Sequence, residues 1–180
     1  IAANVYNRAF NTSYTFGDGK AILVNDHPNF AGGTWSNILA TAADLSEAAL
    51  EQACIDIAGF TNDRGLLIAA KPKTLIIPRQ LMFEAKRILG TDGQVYSADN
   101  TLNAIKSMGM IPEVVVNHYL TNADDWFIRT DVPHGMKHFE RRADAFEMDN
   151  DFDTENARFK ATARYSFGWS DPRGIYGSMG

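Results

Sequence analysis

The sequence predicts an α+β fold, and three observations carry that reading. Apolar residues recur at helical spacing in two segments, Leu50–Phe60 and Leu81–Leu89. Short runs typical of buried strands lie between and after them, at Thr74–Ile77, from Val114 to about Leu120, and at Trp126–Ile128. One long stretch, Ala157–Trp169, alternates apolar and polar residues with period two. Strands and helices interleave without a regular βαβ rhythm, which separates this pattern from a doubly wound α/β sheet.

Each element has its own local reason. Residues 5–25 read as two extended stretches. Within them Tyr14–Val24 (YTFGDGKAILV) places aromatic and β-branched residues on both sides of Gly17-Asp18-Gly19, which predicts a β-hairpin. Ala31-Gly32-Gly33-Thr34 makes a loop that lacks the rest of a phosphate-cradling fingerprint. Asp44, with Glu47 three residues on, has capping-box spacing. Leu50, Ala53, Cys54, Ile57 and Phe60 then form one stripe of a helix that Gly59 can stop. Thr74–Ile77 is a strand closed by Pro78, which can open the next helix at its first turn. That helix presents Leu81, Met82, Ala85, Ile88 and Leu89 on one face and ends at Gly90. Residues 99–107 predict a shorter helix capped by Asp99 or Asn100. The two strands after it are followed by an extended segment, Lys137–Met148, and by the alternating run, which closes at Asp171-Pro172-Arg173-Gly174.

Composition narrows the function classes. The chain has 180 residues, 45% hydrophobic and 22% charged, enough for one sizeable core. A net charge of -5 argues against dominant nucleic-acid binding, which goes with a strongly basic balance. The acidity is uneven: residues 1–70 carry Arg8, Lys20 and Arg64 against seven acids. Cys54 is the only cysteine, so an intrachain disulfide and a cysteine zinc site are both ruled out. On its apolar stripe it reads as a small buried hydrophobe. No apolar run approaches the ~20 residues of a membrane span. The chain begins at Ile1 without Met, as a processed product or a fragment would.

Three constellations have residue types that could carry chemistry. Asp149, Asp151, Asp153 and Glu155 open like a calcium loop, but the template needs glycine where Thr154 stands and a bidentate acid where Lys160 stands. They read as a charged lead-in to a strand. His118 with Asp124 and Asp125 follows a strand, where a metal-dependent hydrolase could place ligands, yet no metal spacing recurs. His134, His138, Arg141 and Arg142 form a basic patch suited to a solvated or subunit-contact surface. No nucleophile elbow, phosphate-binding loop or kinase set is present. The expectation is a protein that is not an enzyme and has no cofactor.

The alternating strand is more informative. Ala157, Phe159, Ala161, Ala163, Tyr165, Phe167 and Trp169 share one face, while Arg158, Lys160, Thr162, Arg164 and Ser166 share the other. Thirteen residues extend about 40 Å at ~3.3 Å each, well beyond an ordinary strand. A cationic face beside an acidic entry suggests ionic matching, within the chain or between chains.

Four segments, Asp18–Pro28, Lys71–Pro78, Pro112–Asp131 and Asp151–Ser178, together resemble the major capsid proteins of tailed bacteriophages, in the Mu-like major head subunit group. The resemblance runs in order from about Phe10 to Ser178 and implies the Hong Kong 97-like capsid fold. It implies an E-loop hairpin and connector over residues 1–35, with an N-terminal arm ahead of Ile1. It further implies a peripheral domain with a spine helix over 36–70, an axial domain with a central sheet over 71–135, and return strands of the peripheral domain over 136–180. It implies a structural subunit, located in the virion capsid and assembled in the cytoplasm of a bacterial host. Its partners would be itself, in hexamers and pentamers, with portal, scaffolding or decoration proteins and packaged double-stranded DNA held non-specifically, and no membrane. Asp18, Lys20, Arg158, Lys160, Arg164, Asp171 and Arg173 are the expected interface residues. A nanocompartment shell of the same fold and a hydrolase built on His118, Asp124 and Asp125 stand as alternatives.

Overall fold

A computed structural model describes residues 2–15, 17–93, 101–150 and 156–180. In chain order the elements are helix α1 (Ala3–Asn7), two-residue strands β1 (His27–Pro28) and β2 (Thr34–Trp35), and helix α2 (Glu47–Ala58). Strand β3 (Pro72–Ile77), helices α3 (Met82–Gly90) and α4 (Ala104–Met108), and strands β4 (Glu113–Val116) and β5 (Trp126–Thr130) follow. The chain ends with strands β6 (Met136–Asn150), β7 (Ala157–Trp169) and β8 (Ile175–Ser178).

The central sheet has the order β4-β3-β5-β8. β3 and β4 run parallel, with α3 and α4 in the connection between them, and the other two pairings are antiparallel. This mixed sheet with helices is the α+β class expected. Strand alternation decides what each face meets. Leu75, Ile77, Trp126 and Ile128 point to one side, where Leu50, Ala53, Cys54 and Ile57 of α2 and Ala85 and Ile88 of α3 join them. Ile76, Phe127 and Ile175 point to the other, where Ala9, Ile22 and Leu23 close the second core. Helices therefore cover one face and the N-terminal segment covers the other.

The helices match their apolar patterns better than their caps. The whole α2 stripe is buried and Gly59 is its C-cap. Its N-cap is Ser46, whose Oγ accepts from the Ala49 N–H at 3.2 Å, so the helix starts two residues beyond the Asp44 cap expected. α4 is capped by Asn103, whose Oδ1 accepts from the Lys106 N–H at 3.1 Å. The caps expected there, Asp99 and Asn100, lie outside the described residues. On α3, Ala85 and Ile88 are buried but Met82 is turned outward, 40% exposed.

Three expectations need correction. The Tyr14–Val24 hairpin is not formed, since no described residue of that stretch is in a strand. Its turn chemistry is present: Asp18 Oδ1 accepts the Lys20 N–H at 3.0 Å. The apolar residues after the turn do not pair with the stretch before it. Leu23 N–H donates to Ala9 O at 3.0 Å, and buried Asn37 takes the Val24 N–H at 3.0 Å and donates to Ile22 O at 2.6 Å. Part of the extended run expected over residues 5–25 is instead helical, in α1. β4 is shorter than expected and lies at the sheet edge, with Val114 and Val115 41% and 39% exposed rather than buried. It ends where the Asn117 side chain accepts the Tyr119 N–H at 3.0 Å and turns the chain.

β8 was not anticipated. It pairs with β5, so the central sheet extends past the boundary expected at residue 135. Gly177 makes this fit possible, because a Cβ there would stand 2.8 Å from Leu23 Cδ1. Among the described residues no helix is long and apolar enough to cross a membrane.

Candidate assembly surface

Between β5 and β8 the chain leaves the central sheet to form a separate two-stranded antiparallel hairpin, β6–β7. β7 has the bounds that period-two alternation predicts. β6 has fifteen residues against thirteen because the register shifts twice, between Glu140 and Arg142 and between Arg142 and Ala145. Each shift adds one unpaired residue to β6, as a β-bulge does. Two extra residues restore the original phase, so apolar residues at the base and toward the tip share one side of the hairpin, with Glu140 opposite Tyr165 between them.

Residues paired across strands share a face. Met136, His138, Phe146 and Met148 therefore lie with Ala161, Phe159, Phe167 and Trp169 on one face. Near the base this face is partly covered: Met136 and Trp169 pack on the second core, and the His138 ring stacks on Phe167 with centroids 4.8 Å apart. Toward the tip it is open, with Phe146, Met148 and Phe159 exposed by 75%, 66% and 64%. The opposite face is charged. Lys160 Nζ stands 3.6 Å from Glu147 Oε2, Arg142 stands 3.6 Å from Glu147 Oε1, and Arg158 lies across from Asp149. Arg164 lies directly across from Arg142, a like-charge juxtaposition that destabilises an isolated hairpin. Ionic matching thus occurs within the chain for Lys160, while Arg164 faces another cation.

The base of the hairpin is fixed by a close backbone crossing and a buried cation. A Cβ on Gly174 would stand 2.5 Å from the Gly135 Cα, so two glycines let the chain entering β6 meet the chain leaving β7. Asp171 Oδ1 accepts the Arg173 N–H at 2.9 Å and opens the turn at Pro172–Gly174. Arg173, expected at a subunit boundary, is buried. Its Nε donates to Thr61 O at 2.5 Å, its guanidinium meets Asp63 at 2.8 Å, and it lies 4.6 Å from the Trp35 ring centroid. Asp18 and Lys20 also act locally: Asp18 Oδ2 meets His27 Nδ1 at 2.8 Å, and the Lys20 ammonium contacts the Asp26 carboxylate.

Among the described residues, the constellations considered as alternatives do not converge. His118 and Asp124 are exposed. Asp125 accepts from Asn122 at 2.8 Å, and burial holds its carboxyl above the usual range despite that bond. Among the described residues no group of three or more His, Cys, Asp or Glu side chains could hold a metal ion. Asp151, Asp153 and Glu155 lie outside the described residues. Cys54 is buried, and burial, with the Glu51 carboxylate second, pushes its thiol up to about 11.

Sequence comparison supplies a family model described as phage capsid protein, which matches residues 1–178. Three solved structures are similar. A virus-like particle from Pyrococcus furiosus is 11% identical, with 79% of this chain and 56% of that chain covered at a TM-score of 0.46. A Mycobacterium phage Che8 structure is 16% identical over 78% of this chain and 52% of that chain, at a TM-score of 0.44. A phage-related protein from Bordetella bronchiseptica is 15% identical over 73% and 49%, at a TM-score of 0.43. The chain spans about half the length of these structures. No curated protein matches it.

Proposed function

The chain belongs to the phage capsid protein family, and from that premise we propose that it is the major head subunit of a tailed bacteriophage. Many copies join as hexamers and pentamers into an icosahedral shell around double-stranded DNA. The reading takes the Mu-like group and the Hong Kong 97-type architecture as its frame. In that frame the central sheet with α3 and α4 is the axial part, and α2 belongs to the peripheral part. The β6–β7 hairpin is the element that reaches over a neighbouring subunit.

The observation that carries this reading is the uncovered hairpin. A two-stranded ribbon is marginal in water unless something packs on it. Here the distal apolar residues are exposed although the chain buries two apolar cores elsewhere. Contiguous exposed apolar surface marks an interaction site. A subunit whose stability is completed by its neighbours suits closed symmetric assembly. Arg158, Lys160 and Arg164, on the charged face, would set register between copies more than strength. The net negative charge suits a wall that tolerates packed DNA without holding it.

The test is the content of particles purified from cells making the whole protein. Nuclease-protected double-stranded DNA inside them is the expected result. Particles filled with an enzyme instead of DNA would identify a nanocompartment of the same fold.

A further inference from the structure

On the shell reading, we propose that the distal apolar face of the β6–β7 hairpin packs against the same face of a second copy of this chain, across a two-fold axis. The face is one continuous surface. Met148 pairs with Phe159 and Phe146 with Ala161 across the strands, and cross-strand partners share a side. The Phe146 and Phe159 rings lie against each other, with centroids 6.3 Å apart. Phe146, Met148 and Phe159 are nevertheless 75%, 66% and 64% exposed. Among the described residues, no other two rings pack on each other while both stay mostly exposed.

Three features of the face select its own copy as the occupant. The first is the absence of charge among its described residues. Asn150 opposite Ala157 completes it toward the tip, and the pairs Glu147–Lys160 and Asp149–Arg158 lie on the opposite side. An uncharged apolar surface meets its copy without like-charge repulsion, whereas a polar partner would lose hydration against it with no bond in return. The second feature is that only the distal part is open. Toward the base Glu140 opposite Tyr165 interrupts the apolar run, and beyond them Met136 and Trp169 pack on the second core. Two hairpins laid face to face and antiparallel therefore overlap at their distal halves and keep their bodies at opposite ends.

The third feature is size. Facing sheets interdigitate their side chains at a spacing of about 10 Å. Two rings from each copy, at about 150–250 Å² each, bury roughly 600–1,000 Å² in all. That is below the ~1,200 Å² at which a lone specific interface becomes stable. A contact of that size holds as one of several in an assembly, not as a free-standing dimer.

A two-fold contact is isologous, so a charge placed at position 159 meets its own kind in the second copy. Phe159→Lys and Phe159→Glu are made in the whole protein and followed by sedimentation at low ionic strength, where charges across the contact are little screened. Each variant alone should need at least about tenfold more protein than wild type to associate, and an equal mixture of the two should return close to the wild-type concentration. Phe146→Lys with Phe146→Glu is a second pair on the same face, used where circular dichroism shows the Phe159 variants unfolded. No gain on mixing would put the face against a different surface and overturn the proposal while leaving the shell reading intact. Wild-type association by each variant alone would do the same. A wild-type protein that never associates would overturn both.

Discussion

At the residue scale, buried polar side chains hold distant segments together. Arg173 is the clearest case, since one guanidinium gathers Thr61, Asp63 and Asp171 and stacks on Trp35. Arg173→Met should lower unfolding stability by about 2 kcal/mol, below the usual cost of breaking a buried pair because Asp63 is largely solvent-screened. Arg173→Lys should recover little, lacking the planar fork. Chemical denaturation of the dissociated subunit checks both. Cys54 gives a pH prediction with a definite sign. Its folded-state pKa, about 11, stands above the unfolded value of about 8.5, so the neutral thiol favours the folded state. That contribution is whole below the unfolded value and is lost as pH rises toward the folded one. Denaturation midpoints should therefore fall above about pH 8.5, and Cys54→Ala should flatten the fall. Buried Tyr176, also shifted upward by burial and its bond to Asp56, keeps a residual slope at higher pH. The burial of Cys54 was legible because it lies on a helical stripe. The roles of Arg173 and Asn37 were not, because their partners are up to 138 residues away and leave no local pattern.

At the element scale, legibility followed the regularity of the backbone. β7 matched its sequence pattern end to end because each residue alternates faces without interruption. β6 looked merely extended because two bulges break the alternation between Glu140 and Ala145. Tyr14–Val24 misled because a glycine turn flanked by apolar residues looks the same whether its backbone groups pair across a hairpin or with Ala9 and Asn37. The hairpin gives a sharp prediction. Phe146 and Phe159 are exposed in the single chain, so Phe146→Ser with Phe159→Ser should change subunit stability by no more than about 0.5 kcal/mol, the usual range for surface changes. If these rings are buried between copies, each contributes up to about 1.5–3 kcal/mol per contact, and the same variant should assemble poorly. Unfolding curves and sedimentation of one preparation separate the two effects. Normal particles from this variant would remove the hairpin from the assembly contact. Gly174→Ala should act oppositely, destabilising the subunit itself by collision with Gly135.

At the scale of the whole molecule, the α+β class was legible from interleaved helical and strand patterns, while the sheet order was not. β8 joins β5 across the inserted hairpin, and four residues containing Gly177 carry too little pattern to announce a buried strand. The resemblance to capsid subunits agrees with the family that residues 1–178 match. Two apolar cores make the body and the β6–β7 hairpin stands uncovered, and on the proposed shell reading association completes the stability of the hairpin. Electron microscopy with sedimentation velocity on the whole protein, across protein concentration and salt, tests it most directly. The account predicts closed particles of uniform size with hexameric and pentameric units, in equilibrium with smaller oligomers. A monomer that persists at every concentration and salt, its hairpin exposed and intact, would contradict it.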